Sequence, residues 1–124
     1  MVERSSAREE REQRLDRVFH ALSARPRRRI VELLREAGEL RVTDLAQAFS
    51  MSLNGVSKHV KVLERAGLVS RRVEWREHWI AVDRSALEAA HTWVSFHHHF
   101  WSERLDALAH HVTARTETDE ENDP

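Results

Sequence analysis

The chain has no cysteine, which excludes disulfides, thiolate-held metals and cysteine nucleophiles. Its 124 residues include only three glycines and two prolines, and no glycine-rich phosphate loop can be found among them. No apolar run reaches the length of a membrane span and no secretory signal is present, so no membrane partner and a cytoplasmic location are expected. No nucleophile and base stand at a useful spacing, and the histidines have no paired acid. An enzyme is not expected.

A third of the residues are charged and 40% are hydrophobic, which allows one domain with a small core. Apolar stretches near both ends exceed what a monomer of this size needs, and that favours an oligomer. The net charge of −1 hides an asymmetry. Residues 1–82 hold 17 Lys/Arg against 12 Asp/Glu, whereas residues 83–124 hold 3 against 9. The local field, not the total, decides whether a polyanion is attracted.

Apolar spacing gives five helices and a hairpin. Residues 1–8 read as a flexible segment, 9–114 as the folded domain and 115–124 as an acidic disordered tail. From residue 9, Leu15, Val18, Phe19 and Leu22 form a helical stripe. Pro26 opens a second helix carrying Ile30, Leu33 and Leu34, which Gly38 stops with Leu40 packing back. Thr43 is expected to cap a third helix over 43–49. After a turn at Ser50 and Met51, Ser52 caps a fourth over 52–66, with Val56, Val60 and Leu63 inward. Gly67 ends it. Over 68–82 the period shortens to two, as in a hairpin turning near Arg76 and Glu77. Asp83 or Ser85 then caps a last helix. Its Leu87, His91, Val94, His98, Trp101, Leu105, Leu108 and Val112 step by four and three as a heptad seam. A second stripe holds Ala86, Ala89, Trp93, Phe96 and Phe100, so this helix needs two partners, its own domain and a second subunit.

A polar, basic helix after a turn, followed by a basic hairpin, suits entry into a groove of double-stranded DNA. Ser52, Asn54, Gly55, Ser57, Lys58, His59 and Lys61 are the candidate contacts on the helix, and Arg71, Arg72 and Arg76 those on the hairpin. Gly55 lowers helix propensity with no evident packing role, which suggests close approach to the duplex. Arg27, Arg28 and Arg29 oppose the dipole of their own helix, so phosphates or acids from another element should compensate them. Trp93 and Trp101 are read as packing residues, and Trp75 and Trp79 as braces of the hairpin.

The stretch Val56-Ser-Lys-His-Val-Lys-Val-Leu-Glu-Arg-Ala-Gly-Leu-Val69 resembles the recognition helix and exit turn of the ArsR/SmtB family of bacterial winged-helix repressors. Val18-Phe-His-Ala-Leu-Ser-Ala-Arg-Pro-Arg-Arg-Arg-Ile-Val-Glu-Leu-Leu34 is similar to its first two helices. The resemblance covers roughly residues 15–112. It implies a mainly α winged helix-turn-helix fold of order α1-α2-α3-α4-β1-β2-α5 and binding to an inverted-repeat operator as a repressor. It also implies a homodimer through the first and last helices. Leu15, Val18, Phe19, Leu87, His91, Val94, His98, Trp101, Leu105 and Leu108 are the expected interface.

Metal-sensing members often carry two cysteines in a Glu-Leu-Cys-Val-Cys-Asp-Leu stretch. Here Arg41 and Thr43 stand at those positions, and neither replaces a soft sulfur ligand. Members that bind zinc on the last helix use an Asp-x-His pair, but Asp83 is followed two residues later by Ser85. No two histidines of the last helix lie three or four apart. No cofactor is expected, and a zinc or similar divalent ion would need His91 or His98 from both chains. Seam histidines also raise the reading of a metal- or ligand-responsive sensor, or of a dimer that responds to pH. A winged-helix protein-interaction module without an operator is the other reading. The effector is not named by the sequence.

Overall fold

The computed structural model describes residues 2–121, with side chains described for 4–116. Two compact units are present, Met1–Ala90 and His91–Pro124. The first unit contains α1 (Val2–Leu22), α2 (Arg25–Ala37), β1 (Glu39–Arg41), α3 (Val42–Phe49), α4 (Leu53–Arg65), β2 (Val69–Glu74) and β3 (Glu77–Val82). It ends in the first turns of α5 (Arg84–Glu121), a helix that continues through the second unit.

The strands form one antiparallel sheet in the order β1-β3-β2. The hairpin of β2 and β3 matches expectation, but β1 does not. Glu39-Leu40-Arg41 pairs with Ala81-Ile80-Trp79, so Leu40 is a strand residue and more than a cap contact. Three residues are too few to display a period of two. Val18 and Ala21 of α1, Ile30 and Leu34 of α2, Leu45 of α3, the inward residues of α4 and Ile80 of β3 close one core. Each such aliphatic contributes about 1.5–3 kcal/mol when fully buried.

The ends of α4 follow the sequence closely. Ser52 is its N-cap, with Oγ accepting from the Gly55 N–H at 3.1 Å. At the other end, the Gly67 N–H donates to the Glu64 carbonyl and the Leu68 N–H to the Leu63 carbonyl, both at 3.0 Å. This paired closure requires a left-handed residue, and Gly67 supplies it with φ of +74°.

Four expectations are corrected. Thr43 does not cap α3, which begins at Val42 with Arg41 as its N-cap. Pairing with β3 keeps the chain extended through Arg41, and the Asp44 carboxylate then accepts from the Arg41 N–H at 3.0 Å. Residues 2–8 and 115–121, expected as flexible ends, are helical. Their Ala, Arg and Glu residues favour a helix, and neither segment has a Gly or Pro to stop it. The remainder of the expected ends, residue 1 and 122–124, lies outside the described residues. Val18 is fully buried inside its own unit and has no surface to give a partner. Leu87, by contrast, packs against that core while keeping part of its surface exposed.

In the second unit, α5 exposes large apolar side chains along much of its length. Trp93, Val94, Phe96, Phe100, Trp101, Leu105, Leu108 and Val112 are all at least two-fifths exposed. The seam positions His91, Val94, His98, Trp101, Leu105 and Leu108 are thus bare in the single chain. Among the described residues, no helix is long and apolar enough to cross a membrane.

Asp44 links fold stability to pH. The Arg41 guanidinium and then the Arg41 N–H hold its carboxyl below the usual range. A depressed folded pKa stabilises above the unfolded value, and the stabilisation fades as pH falls through the folded value. Asp44→Asn should lower the thermal midpoint by a similar amount between roughly pH 5 and pH 7, with the gap from wild type narrowing as pH falls below the usual carboxylate range. A gap that does not narrow on acidification in thermal melts contradicts the assignment.

Candidate nucleic-acid interface

Helix α4 turns Val56, Val60 and Leu63 into the core. At about 100° per residue, Asn54, Lys58, Lys61 and Arg65 then fall within roughly 60° of one another on the opposite side. All four are exposed, and none has an acidic partner among the described residues. Arg65 was not singled out from the sequence, although its position continues the four-three-four spacing that begins at Asn54. It ends the helix, where a cation also suits the dipole, and that ordinary explanation masks the signal.

Ser57 lies to one side of this stripe, half-buried. With Thr43, Leu53, Arg76 and His78 it lines an open groove of about 490 Å³ between α4 and the hairpin. Gly55 has a local explanation that sequence reading missed. A Cβ there would stand 3.2 Å from Ser52 Oγ and 3.4 Å from Met51 Cε. The glycine makes room for the cap, so close approach to a duplex is not needed to account for it.

His59 faces α2, half-buried, with Nδ1 3.4 Å from Arg27 Nη1. A guanidinium only donates, so in this contact Nδ1 is on the accepting side. Arg27 itself is anchored to the end of α1: Nε donates to the Ala21 carbonyl at 2.7 Å and Nη2 to the His20 carbonyl at 3.1 Å. Arg28 donates to the Leu22 carbonyl at 2.7 Å, and Arg29 pairs with Glu32. The compensation expected from phosphates or acids thus comes, for Arg27 and Arg28, from backbone carbonyls at the negative end of a neighbouring helix dipole. Only Arg29 uses an acid, from its own helix.

The hairpin arginines separate into two kinds. Arg71 grips Glu64 of α4, with Nη2 at 2.6 Å and Nε at 3.2 Å, and places Nη1 3.0 Å from His78 Nδ1. Arg72 pairs with Glu39 of β1 at 2.5 Å and Glu74 of β2 at 2.6 Å. Both were expected to contact DNA, yet both are already matched by carboxylates. Arg76 is exposed in the two-residue loop between β2 and β3, with no carboxylate partner among the described residues.

Trp79 braces the hairpin as expected. Its ring is flanked by the guanidinium groups of Arg41 and Arg72 at 5.6 and 5.7 Å, a favourable arrangement for a π face. Trp75 braces nothing: it is 95% exposed in the loop.

Residues 17–72 match a helix-turn-helix domain family. The chain is 36% identical over 94 residues to the HTH-type transcriptional regulator Rv2034 of Mycobacterium tuberculosis, covering 76% of this chain and 84% of that one. The crystal structure of the ArsR family transcriptional regulator RHA00566 aligns with TM-score 0.68 and 26% identity, over 73% of this chain and 93% of its own. The homodimeric winged helix-turn-helix DNA-binding domain Mb0332 of Mycobacterium bovis, a possible ArsR-family regulator, aligns with TM-score 0.57 and 28% identity. That match covers 70% of this chain and 82% of Mb0332. The chain belongs to the ArsR family of winged helix-turn-helix transcriptional regulators.

Within that family, this chain does not fit a thiolate-held ion. It has no cysteine, and Arg41 is committed to Asp44 and Glu77, each at 3.0 Å. Among the described residues, no group of three or more His, Cys, Asp or Glu could hold a metal. On α5, His97 packs on Trp93 with centroids 4.2 Å apart, and His99 Nε2 lies 3.2 Å from Glu103.

The two kinds of hairpin arginine should separate in the free protein. Arg71→Gln leaves Glu64 half-buried without its partner, so it should cost about 1–3 kcal/mol and several degrees of thermal midpoint. Arg76→Gln should leave the midpoint within about 1 °C. Equal effects of the two changes in calorimetry would show that Arg71 is not a structural tie.

Proposed function

We propose that this chain is a DNA-binding repressor of the ArsR type that reads an inverted-repeat operator as a homodimer. The observation that carries the reading is the exposed, unpaired stripe of Asn54, Lys58, Lys61 and Arg65 on α4. The capped N-terminus of α4 adds the positive end of its dipole on the same helix. Lysines and Arg65 at these positions suit phosphates, while Asn54 in the first turn suits a base edge. Ser57 and Arg76 border the adjoining groove and suit the flanking backbone. Arg71 and Arg72 act here by holding the hairpin in place, and Ser52 and Gly55 by shaping the start of the helix. His59 is oriented by Arg27.

A second copy is the partner that the bare seam of α5 suits. Exposed Val94, Trp101, Leu105 and Leu108 at heptad spacing would be costly in water for a monomer, and Leu15 and Phe19 of α1 add partly exposed apolar surface. A twofold assembly implies half-sites about one helical turn apart, or a multiple of it.

Selection of bound duplexes by the purified chain tests this reading. The expected result is an enriched inverted repeat. Lys58→Ala, Lys61→Ala and Arg65→Ala should each weaken binding to all sequences and reduce the salt slope by about 1. Asn54→Ala should instead relax the preference at one base pair per half-site. No enriched sequence from a random library, or wild-type salt slopes for all three cation variants, contradicts the assignment.

A further inference from the structure

The loop that joins β2 and β3 consists of two residues, Trp75 and Arg76. Trp75 is the first of them, at φ of +60°, a position where two-residue hairpins favour glycine. Bulky side chains rarely adopt this backbone, and outliers of this kind cluster at functional sites. Its indole is also 95% exposed, so the free protein gains almost nothing from its burial. Both the backbone and the side chain are thus unfavourable in the isolated chain, where glycine would satisfy the turn better.

The surroundings of the loop suit a polyanion. Glu74 and Glu77, on either side of it, are held by Arg72 at 2.6 Å and Arg41 at 3.0 Å, which compensates their charge. Arg76 has no such partner among the described residues. It borders the groove shared with Ser57 of α4 and also a hollow of about 500 Å³ between Trp75 and Trp79. The tip therefore adjoins the flank of the candidate reading helix within one unit. Its base is rigid, because Trp79 is clasped between Arg41 and Arg72 from the two neighbouring strands.

We propose that Trp75 is an apolar wedge that the wing inserts into the minor groove of bound duplex DNA, with Arg76 beside it on the backbone. Apolar side chains placed in this way partly unstack a base step and bend the duplex towards the major groove. The proposal rests on the DNA-binding reading above and adds a contact, a distortion and a source of specificity to it. Flexible pyrimidine–purine steps are the easiest to open, so such steps belong in the flanks of the operator.

The test uses the full-length chain and its selected operator, with Trp75→Gly and Trp75→Phe. Trp75→Gly relieves the turn and should raise the thermal midpoint by a few degrees. It should also weaken operator binding by between about 5- and 150-fold, the range set by one aromatic–base stack. The bend, measured by end-to-end energy transfer on a labelled duplex, should largely disappear. Trp75→Phe should keep most of the bend. Unchanged affinity and bend for Trp75→Gly overturn the wedge, and they do so also if that variant loses adsorption to anionic phosphatidylserine vesicles, which would make the tip a membrane contact. Failure of the wild-type chain to select any duplex would instead overturn the DNA-binding reading itself.

Discussion

Ile80 is the one fully buried side chain of β3, and the position of the wing depends on which face of the sheet it takes. Ile80 is fully buried, opposite Leu40 on one side and Arg71 on the other. Its neighbour Trp79 faces outward between Arg41 and Arg72. A slip of one residue in β3 would exchange its faces, moving the Trp79 indole towards the core and Ile80 out of it. The register is thus specified twice, by an aliphatic that needs burial and by an indole that meets two guanidinium groups only on the outer face. Arg71 lies on the core face but near its rim, where the carboxylate of Glu64 meets it. Through that contact the wing is fixed to α4, and the groove beside Ser57 keeps its shape.

A second constraint acts at the other flank of α4. The end of α1 presents carbonyls that no intrahelical N–H can satisfy, and Arg27 and Arg28 fill that role from the first turn of α2. Arg27 also reaches His59. One guanidinium therefore connects the end of α1, the start of α2 and the middle of α4. The arrangement explains cations where a helix dipole alone would disfavour them. It also leaves α4 braced from both sides while its outward stripe stays free.

Much of this was legible in the sequence because α4 obeys local rules. Its apolar period, the Ser52 cap and the Gly67 stop are all encoded within a few residues of one another, and the hairpin shows its period of two. What could not be read depends on partners far along the chain. Glu39-Leu40-Arg41 is a strand only because β3 is beside it, and Arg71 is committed only because Glu64 is within reach. Gly55 misled for a related reason: its lack of a side chain serves Ser52 and Met51, a steric fit that propensity does not express. The helix ends were misplaced because 2–8 and 115–121 are polar yet have no residue that halts a helix. Trp75 was misread as a brace because an aromatic in a hairpin usually packs, and only its φ and exposure reveal otherwise.

Arg41 decides how this member of the family differs from those that sense soft metals. It stands where a thiolate would be, yet it is far from idle. Its guanidinium binds Asp44 at the start of α3 and Glu77 at the start of β3, and lies over Trp79. Asp44 and Glu77 together hold the arginine above its usual range by hydrogen bonding. The link between α3 and the wing is made here by a guanidinium and two carboxylates and involves no ion. No thiol chemistry can open it, whereas salt screens it, because Arg41 and Glu77 are both well exposed. The start of α3 thus carries no thiolate switch in this chain, and the bare apolar length of α5 is exposed surface elsewhere among the described residues.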